Sequence, residues 1–160
     1  MIRTIAVIGA GTMGSGIAQV AARAGLNVVM RDIRDDFLKR GLATIDKSLQ
    51  RDVDKNRLTA EDKETIVGRI RATTLIDDLR ETDFAIEAVN EDMSVKSEIL
   101  RQLDKITQPG VIFASNTSSI SITRLGALTS RPERFIGMHF MNPVPVMKLV
   151  EIIRGAATSD

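Results

Sequence analysis

The sequence contains no cysteine, no tryptophan and no tyrosine, and it has a single histidine, His139, in 160 residues. Without cysteine there is no disulfide, no thiolate nucleophile and no cysteine-ligated zinc, and a reducing compartment is compatible with the composition. The aromatic content is 3 %, all phenylalanine, so the platforms on which proteins stack nucleic-acid bases are missing. Charge of neither sign dominates. Lys and Arg number 22 against 21 Asp and Glu, a net charge of +1 that gives no field for nucleic acid. No run approaches the ~18 apolar residues that a membrane span needs. The N-terminus, MIRTIAVIGAG, is too short and too broken by glycine for a signal peptide. The expectation is a soluble cytoplasmic protein with neither a nucleic-acid nor a membrane partner, and with no metal site.

What is present is the balance of a globular domain: 43 % hydrophobic and 27 % charged residues. Ile2 to Ile8 is a β-rich apolar run stopped by the glycines from Gly9 to Gly14. Met13 to Ala24 follows with Ile17, Val20 and Ala21 at helical spacing, and Gly25 is a natural C-cap. Leu26 to Met30 is a second apolar run, completing a βαβ unit in about 30 residues. Leu38, Leu42, Ile45, Leu49 and Val53 then fall at steps of three and four, which predicts a charged helix. Asn56 to Thr59 reads as a turn, and Ala60 to Ile70 as a second helix with Thr59 as N-cap. This helical pair exceeds the usual crossover between parallel strands and is expected to project from the sheet. Strands are predicted at Phe84 to Val89, Val111 to Ala114, Phe135 to Phe140 and Leu149 to Ile153. Between them lie a helix capped by Asp92 and a short helix near Ile120 to Leu128. The alternation argues for an α/β fold, a Rossmann-type doubly wound and mostly parallel sheet covered on both faces. We read residues 1–160 as one nucleotide-binding domain with a helical insertion over about 35–71. Arg154 to Asp160 reads as an exit loop with no further layer, the pattern expected of an isolated or truncated domain.

Gly9-Ala10-Gly11-Thr12-Met13-Gly14 matches G-x-G-x-x-G. The pattern alone is weak, but here a strand precedes it, a helix follows it, and Asp32 ends the next strand some 20 residues on. Gly9 permits the tight turn, Gly11 admits the backbone close to a pyrophosphate, and Gly14 allows the helix to pack on the strand. The pyrophosphate would rest on the free N–H groups of the first helical turn, Thr12 and Met13 included. Asp32 is expected to accept from the adenosine ribose hydroxyls and to repel a 2′-phosphate, which favours NAD over NADP. Arg31 and Arg34 flank it; as solvated surface charge they do nothing, and as phosphate partners they soften that preference.

His139 lies near the end of an apolar strand, where open α/β sheets bind their ligands. Removing hydride from an alcohol carbon requires its hydroxyl proton to leave as well, and histidine is suited to accept it near neutral pH. Glu151, in the next strand, would hold the second ring nitrogen and stabilise the imidazolium. Ser118 and Asn142 alone prove little. Ser118 would equally cap the helix that follows it, and nothing like G-x-S-x-G surrounds it to suggest a nucleophile.

Three segments together resemble the 3-hydroxyacyl-CoA dehydrogenase family, which includes the bacterial 3-hydroxybutyryl-CoA dehydrogenases. They are Ile5 to Gly14, Ser115-Asn116-Thr117-Ser118-Ser119, and Gly137-Met138-His139-Phe140-Met141-Asn142-Pro143 continuing to Glu151. The likeness runs over essentially the whole chain, and the stretch from His139 to Glu151 is more specific than the glycine motif. It implies NAD-dependent oxidation of a (S)-3-hydroxyacyl-CoA, or the reverse, with His139 and Glu151 as the catalytic pair. Ser118 would hydrogen-bond the substrate 3-oxygen, and Asn142 would shape the nicotinamide and substrate site. Glu91, Lys96 and Asn116 match positions near the cofactor. Ser48 and Lys55 match positions on the helical pair that grip the coenzyme A tail, although an exposed helix face would look the same. The family also has a second, all-helical domain that supplies dimer contacts and a further active-site asparagine. On the reading of the chain as truncated before that domain, the resemblance implies a homodimer for the complete protein and leaves a monomer open for the chain itself. Two other readings stay open. One is a sister dehydrogenase acting on a hydroxy acid such as a sugar acid, and the other is a cofactor-binding module without catalysis.

Overall fold

The computed structural model describes residues 1–160. The first βαβ unit is built from β1 (Thr4–Ile8), α1 (Thr12–Arg23) and β2 (Asn27–Arg31). The helical pair follows as α2 (Asp35–Asp54) and α3 (Ala60–Gly68), and leads into β3 (Ile70–Thr73). The second half comprises β4 (Phe84–Glu87), α4 (Met93–Ile106), β5 (Ile112–Ser115), α5 (Ile122–Gly126), β6 (Phe135–Phe140) and β7 (Val150–Arg154). One seven-stranded sheet runs in the order β3-β2-β1-β4-β5-β6-β7. All neighbouring strands are parallel except β6 and β7. The antiparallel step has a simple cause. Only the segment 141–149 joins β6 to β7, and a parallel crossover needs a dozen residues or more.

The central strands β1, β2, β4 and β5 are buried on both faces, and their side chains divide between two cores. Ile5, Val7, Val28, Met30, Ile86 and Ala114 face one, beneath α1 and α2. Ala6, Ile8, Val29, Ala85 and Phe113 face the other, beneath α4 and α5. Ile17 of α1 and Leu100 of α4 are almost wholly excluded from water. Burying a side chain of that size stabilises the fold by about 1.5–3 kcal/mol.

The helical pair rests its inner face on α1 through Leu38, Ile45 and Leu49, all buried. Thr59 caps α3 as anticipated, in a capping box with Asp62. Where a helix was expected to run to Ile70, the chain leaves α3 at Gly68 and enters β3. This four-residue strand pairs with β2 alone and buries only Thr73. A strand so short, with one hydrogen-bonded edge, lacks the run of alternating residues that would reveal it.

Candidate active site

The strand order reverses between β1 and β4, and a cleft of about 480 Å³ opens there beyond the carboxyl ends of β1, β2 and β4. Ile8, Gly9, Gly11, Thr12, Asp32 and Val89 are among the residues that line it. Gly9 has φ +108°, a conformation that L side chains rarely adopt. A Cβ on Gly14 would lie 1.8 Å from the Gly9 carbonyl oxygen, so only glycine lets α1 start this close to the loop. A Cβ on Gly11 would meet nothing within 4 Å, because that position faces the open cleft. No side chain caps the N-terminus of α1 and no acidic residue sits in its first turn. The N–H groups there are left for a ligand, and the helix dipole favours an anionic one.

Asp32 braces the glycine loop as well as facing the cleft. Its carboxylate accepts from the N–H of Ala10 at 2.7 Å and from that of Ile33 at 2.7 Å. Nothing local in the sequence marks the first contact. Gly41 was also missed: a Cβ there would come 2.8 Å from the Ala10 carbonyl oxygen, so α2 lies directly against the nucleotide loop. The Met13 side chain packs against the core beneath α1, while its N–H belongs to the free first turn of the helix. One expectation needs correction. Lys96 is only 1 % exposed; its ammonium sits beneath the cleft, 2.7 Å from Glu87.

Of the arginines flanking Asp32, Arg31 borders the cleft and Arg34 does not. Arg34 forms a two-pronged contact with Asp36 at 2.8 and 3.0 Å and stacks on Phe37. Arg31 donates to the Thr74 carbonyl at 3.3 Å.

The pairing of β6 with β7 sets His139 directly opposite Glu151. Nδ1 of the ring is 2.7 Å from Glu151 Oε2, and Nε2 is 2.9 Å from the Ser118 hydroxyl. A carboxylate can only accept, so Glu151 fixes the tautomer with the proton on Nδ1 and leaves Nε2 free to accept one. Ser118 donates to that nitrogen. It does not cap α5, where Ser121 accepts from the Arg124 N–H. Asn116 accepts from the Phe140 N–H at 2.8 Å, tying the loop after β5 to β6. Glu91 receives the Thr117 hydroxyl and both donors of Ser119. Partial burial pushes the Glu91 carboxyl up, but Thr117, the Lys96 ammonium and Ser119 outweigh it and hold the group below its ordinary value. Its grip on the loop is therefore complete above the usual glutamate range and lost as pH falls through the lowered value.

Asn142 is exposed at the head of the segment joining β6 to β7, and its bond to Pro143 is cis. Ser48 accepts from Gln19 of α1 at 3.0 Å, so it is turned towards the helix contact, while Lys55 is exposed just past the end of α2. Neither borders the cleft.

A glycine loop at the sheet's reversal point, an uncapped helix start and an acidic residue ending β2 define a dinucleotide-binding domain of the NAD-dependent dehydrogenase class. The model of the 3-hydroxyacyl-CoA dehydrogenase NAD-binding domain matches residues 4–160, and the chain belongs to that family. A 3-hydroxybutyryl-CoA dehydrogenase of Bradyrhizobium diazoefficiens is 54 % identical over 160 residues, 100 % of this chain and 55 % of the relative. The crystal structure of (S)-3-hydroxybutyryl-CoA dehydrogenase from Ralstonia eutropha superposes with a TM-score of 0.98 at 57 % identity, covering 100 % of this chain and 56 % of that one. An NAD⁺-dependent 5-formyl-3-hydroxy-2-methylpyridine 4-carboxylic acid 5-dehydrogenase superposes at 0.87 with 37 % identity, over 99 % of this chain and 51 % of its own. The chain thus spans about half the length of these relatives.

Proposed function

We propose that this domain serves the NAD-dependent interconversion of (S)-3-hydroxyacyl-CoA and 3-oxoacyl-CoA, with short-chain substrates of the 3-hydroxybutyryl type. The observation that carries the reading is the chain Glu151–His139–Ser118, which ends in a ring nitrogen able to accept a proton. NAD supplies the hydride acceptor for such a reaction. In the oxidative direction Nε2 of His139 takes the hydroxyl proton while hydride leaves the same carbon, and Glu151 balances the positive charge that develops on the ring. The Ser118 hydroxyl is placed to hydrogen-bond the substrate 3-oxygen and keep it beside Nε2. The test is the loss of NADH absorbance on adding acetoacetyl-CoA, run beside free acetoacetate. Consumption with the thioester alone is the expected result; equal consumption with the free acid would overturn the substrate class.

The pyridine-acid dehydrogenase shares the fold while its name states another substrate, so the coenzyme A grip must be tested directly. We place it on the helical pair, at exposed Lys55. Lys55→Ala in the active protein should raise KM for acetoacetyl-CoA several-fold and leave KM for NADH unchanged. An unchanged thioester KM would favour the hydroxy-acid reading.

Asp32, with Arg34 held away by Asp36, favours the unphosphorylated cofactor. NADH should bind more tightly than NADPH in a fluorescence titration, and Asp32→Gly should narrow the gap. Equal affinities of the native chain for both would contradict the assignment.

A further inference from the structure

Glu87, the last residue of β4, is wholly buried, yet its carboxylate is fully engaged. Oε1 accepts from Lys96 Nζ at 2.7 Å and from the Val89 N–H at 2.8 Å, and Oε2 accepts from the Ser115 hydroxyl at 2.6 Å. A buried ion pair is not needed for stability, since apolar residues of similar volume often serve as well. What this one does is organise the segment that follows β5. Ser115 Oγ accepts from the Thr117 N–H at 3.2 Å, and the Glu87 backbone carbonyl accepts from the Asn116 N–H at 2.9 Å. Two successive amides thus hang on Glu87, one directly and one through Ser115. On the far side, Glu91 holds Thr117 and Ser119 and lies 3.7 Å from Lys96. Ser118 is the residue left between these clamps, and its hydroxyl meets Nε2 of His139.

We infer that Glu87 and Ser115 are positioning residues of the active site, which act through the 116–119 loop to set the Ser118 hydroxyl against His139. This rests on the reading of His139 as the base, but its test does not depend on turnover. Because the chain has one histidine, the imidazole of His139 gives one set of ring signals in an NMR spectrum. Ser118→Ala should displace the Nε2 and Cε1–H signals at fixed pH. Ser115→Ala, which removes one hydroxyl and keeps the packing, should displace them in the same direction. The double variant should add nothing to Ser118→Ala. Glu87→Gln should reproduce the displacement wherever it folds, and Ser115→Ala carries the test if it does not. Thr82→Ala serves as the comparison, because it deletes a buried hydroxyl that donates to Leu79 just before β4, at the opposite end of the strand. It should lower the melting temperature and leave the ring signals in place.

The inference is overturned if Ser115→Ala leaves the ring signals at native positions while Ser118→Ala moves them. It is equally overturned if Ser118→Ala moves nothing, or if Thr82→Ala moves them as far as Ser115→Ala. Failure of the thioester assay would instead overturn the functional reading and leave the ring-signal result standing.

Discussion

His139→Gln should lower turnover of acetoacetyl-CoA by about 10²–10⁴-fold, the range that a positioned general base contributes. NADH affinity should stay near native, because His139 stands outside the cleft lined by the glycine loop and Asp32. Glutamine keeps a similar reach but cannot take the hydroxyl proton at neutral pH. Glu151→Gln should fall nearly as far for a different reason. The amide can donate towards Nδ1, which now sits 2.7 Å from a carboxylate oxygen, and would draw the ring proton onto Nε2, the atom that has to accept. Stopped-flow absorbance of NADH with each variant checks both. Retained turnover in His139→Gln would remove His139 from the mechanism.

Gly14→Ala should cost the domain both stability and cofactor binding. The new methyl would start 1.8 Å from the Gly9 carbonyl oxygen, a backbone atom with no freedom to swing away. Either α1 withdraws from β1 or the loop flattens, and both displace the N–H groups that meet the pyrophosphate. Overpacking of this kind costs about 1–3 kcal/mol, and NADH affinity should drop at least tenfold. Gly11→Ala provides the contrast: its methyl enters open space, so the melting temperature should hold while NADH affinity falls. A Gly14→Ala protein with native melting and native affinity would mean that the tight helix start has no part in the site.

The sequence made the frame of this site legible because each part is local. Gly9 to Gly14 and Asp32 are fixed by a single βαβ unit, and His139 and Glu151 by two strands joined through a short segment. Period and turn chemistry reach that far. The hidden parts depend on contacts between distant elements. Glu87 and Ser115 are 28 residues apart and meet only because β4 and β5 are neighbours. Gly41 of α2 approaches Ala10 for the same kind of reason. One of these hidden parts does leave a local mark. Lys96 shares a face of α4 with Ile99, Leu100 and Leu103, all buried. A lysine in a core stripe asks for a buried partner, and a carboxylate at the end of an apolar strand, Glu87, is the kind of partner that answers it. Strand β3 escaped for the opposite reason, being too short and too exposed to leave a pattern.

The central claim is that the cleft at the sheet's reversal point holds a nicotinamide dinucleotide with its nicotinamide end towards His139. The direct test is to titrate this chain, labelled with ¹⁵N, with NADH and separately with ADP-ribose, which lacks the nicotinamide. Both should move the amide signals of Gly9 to Gly14, and only NADH should move the ring signals of His139. If NADH leaves the glycine amides unmoved, or ADP-ribose shifts the His139 ring as far as NADH does, the account is wrong.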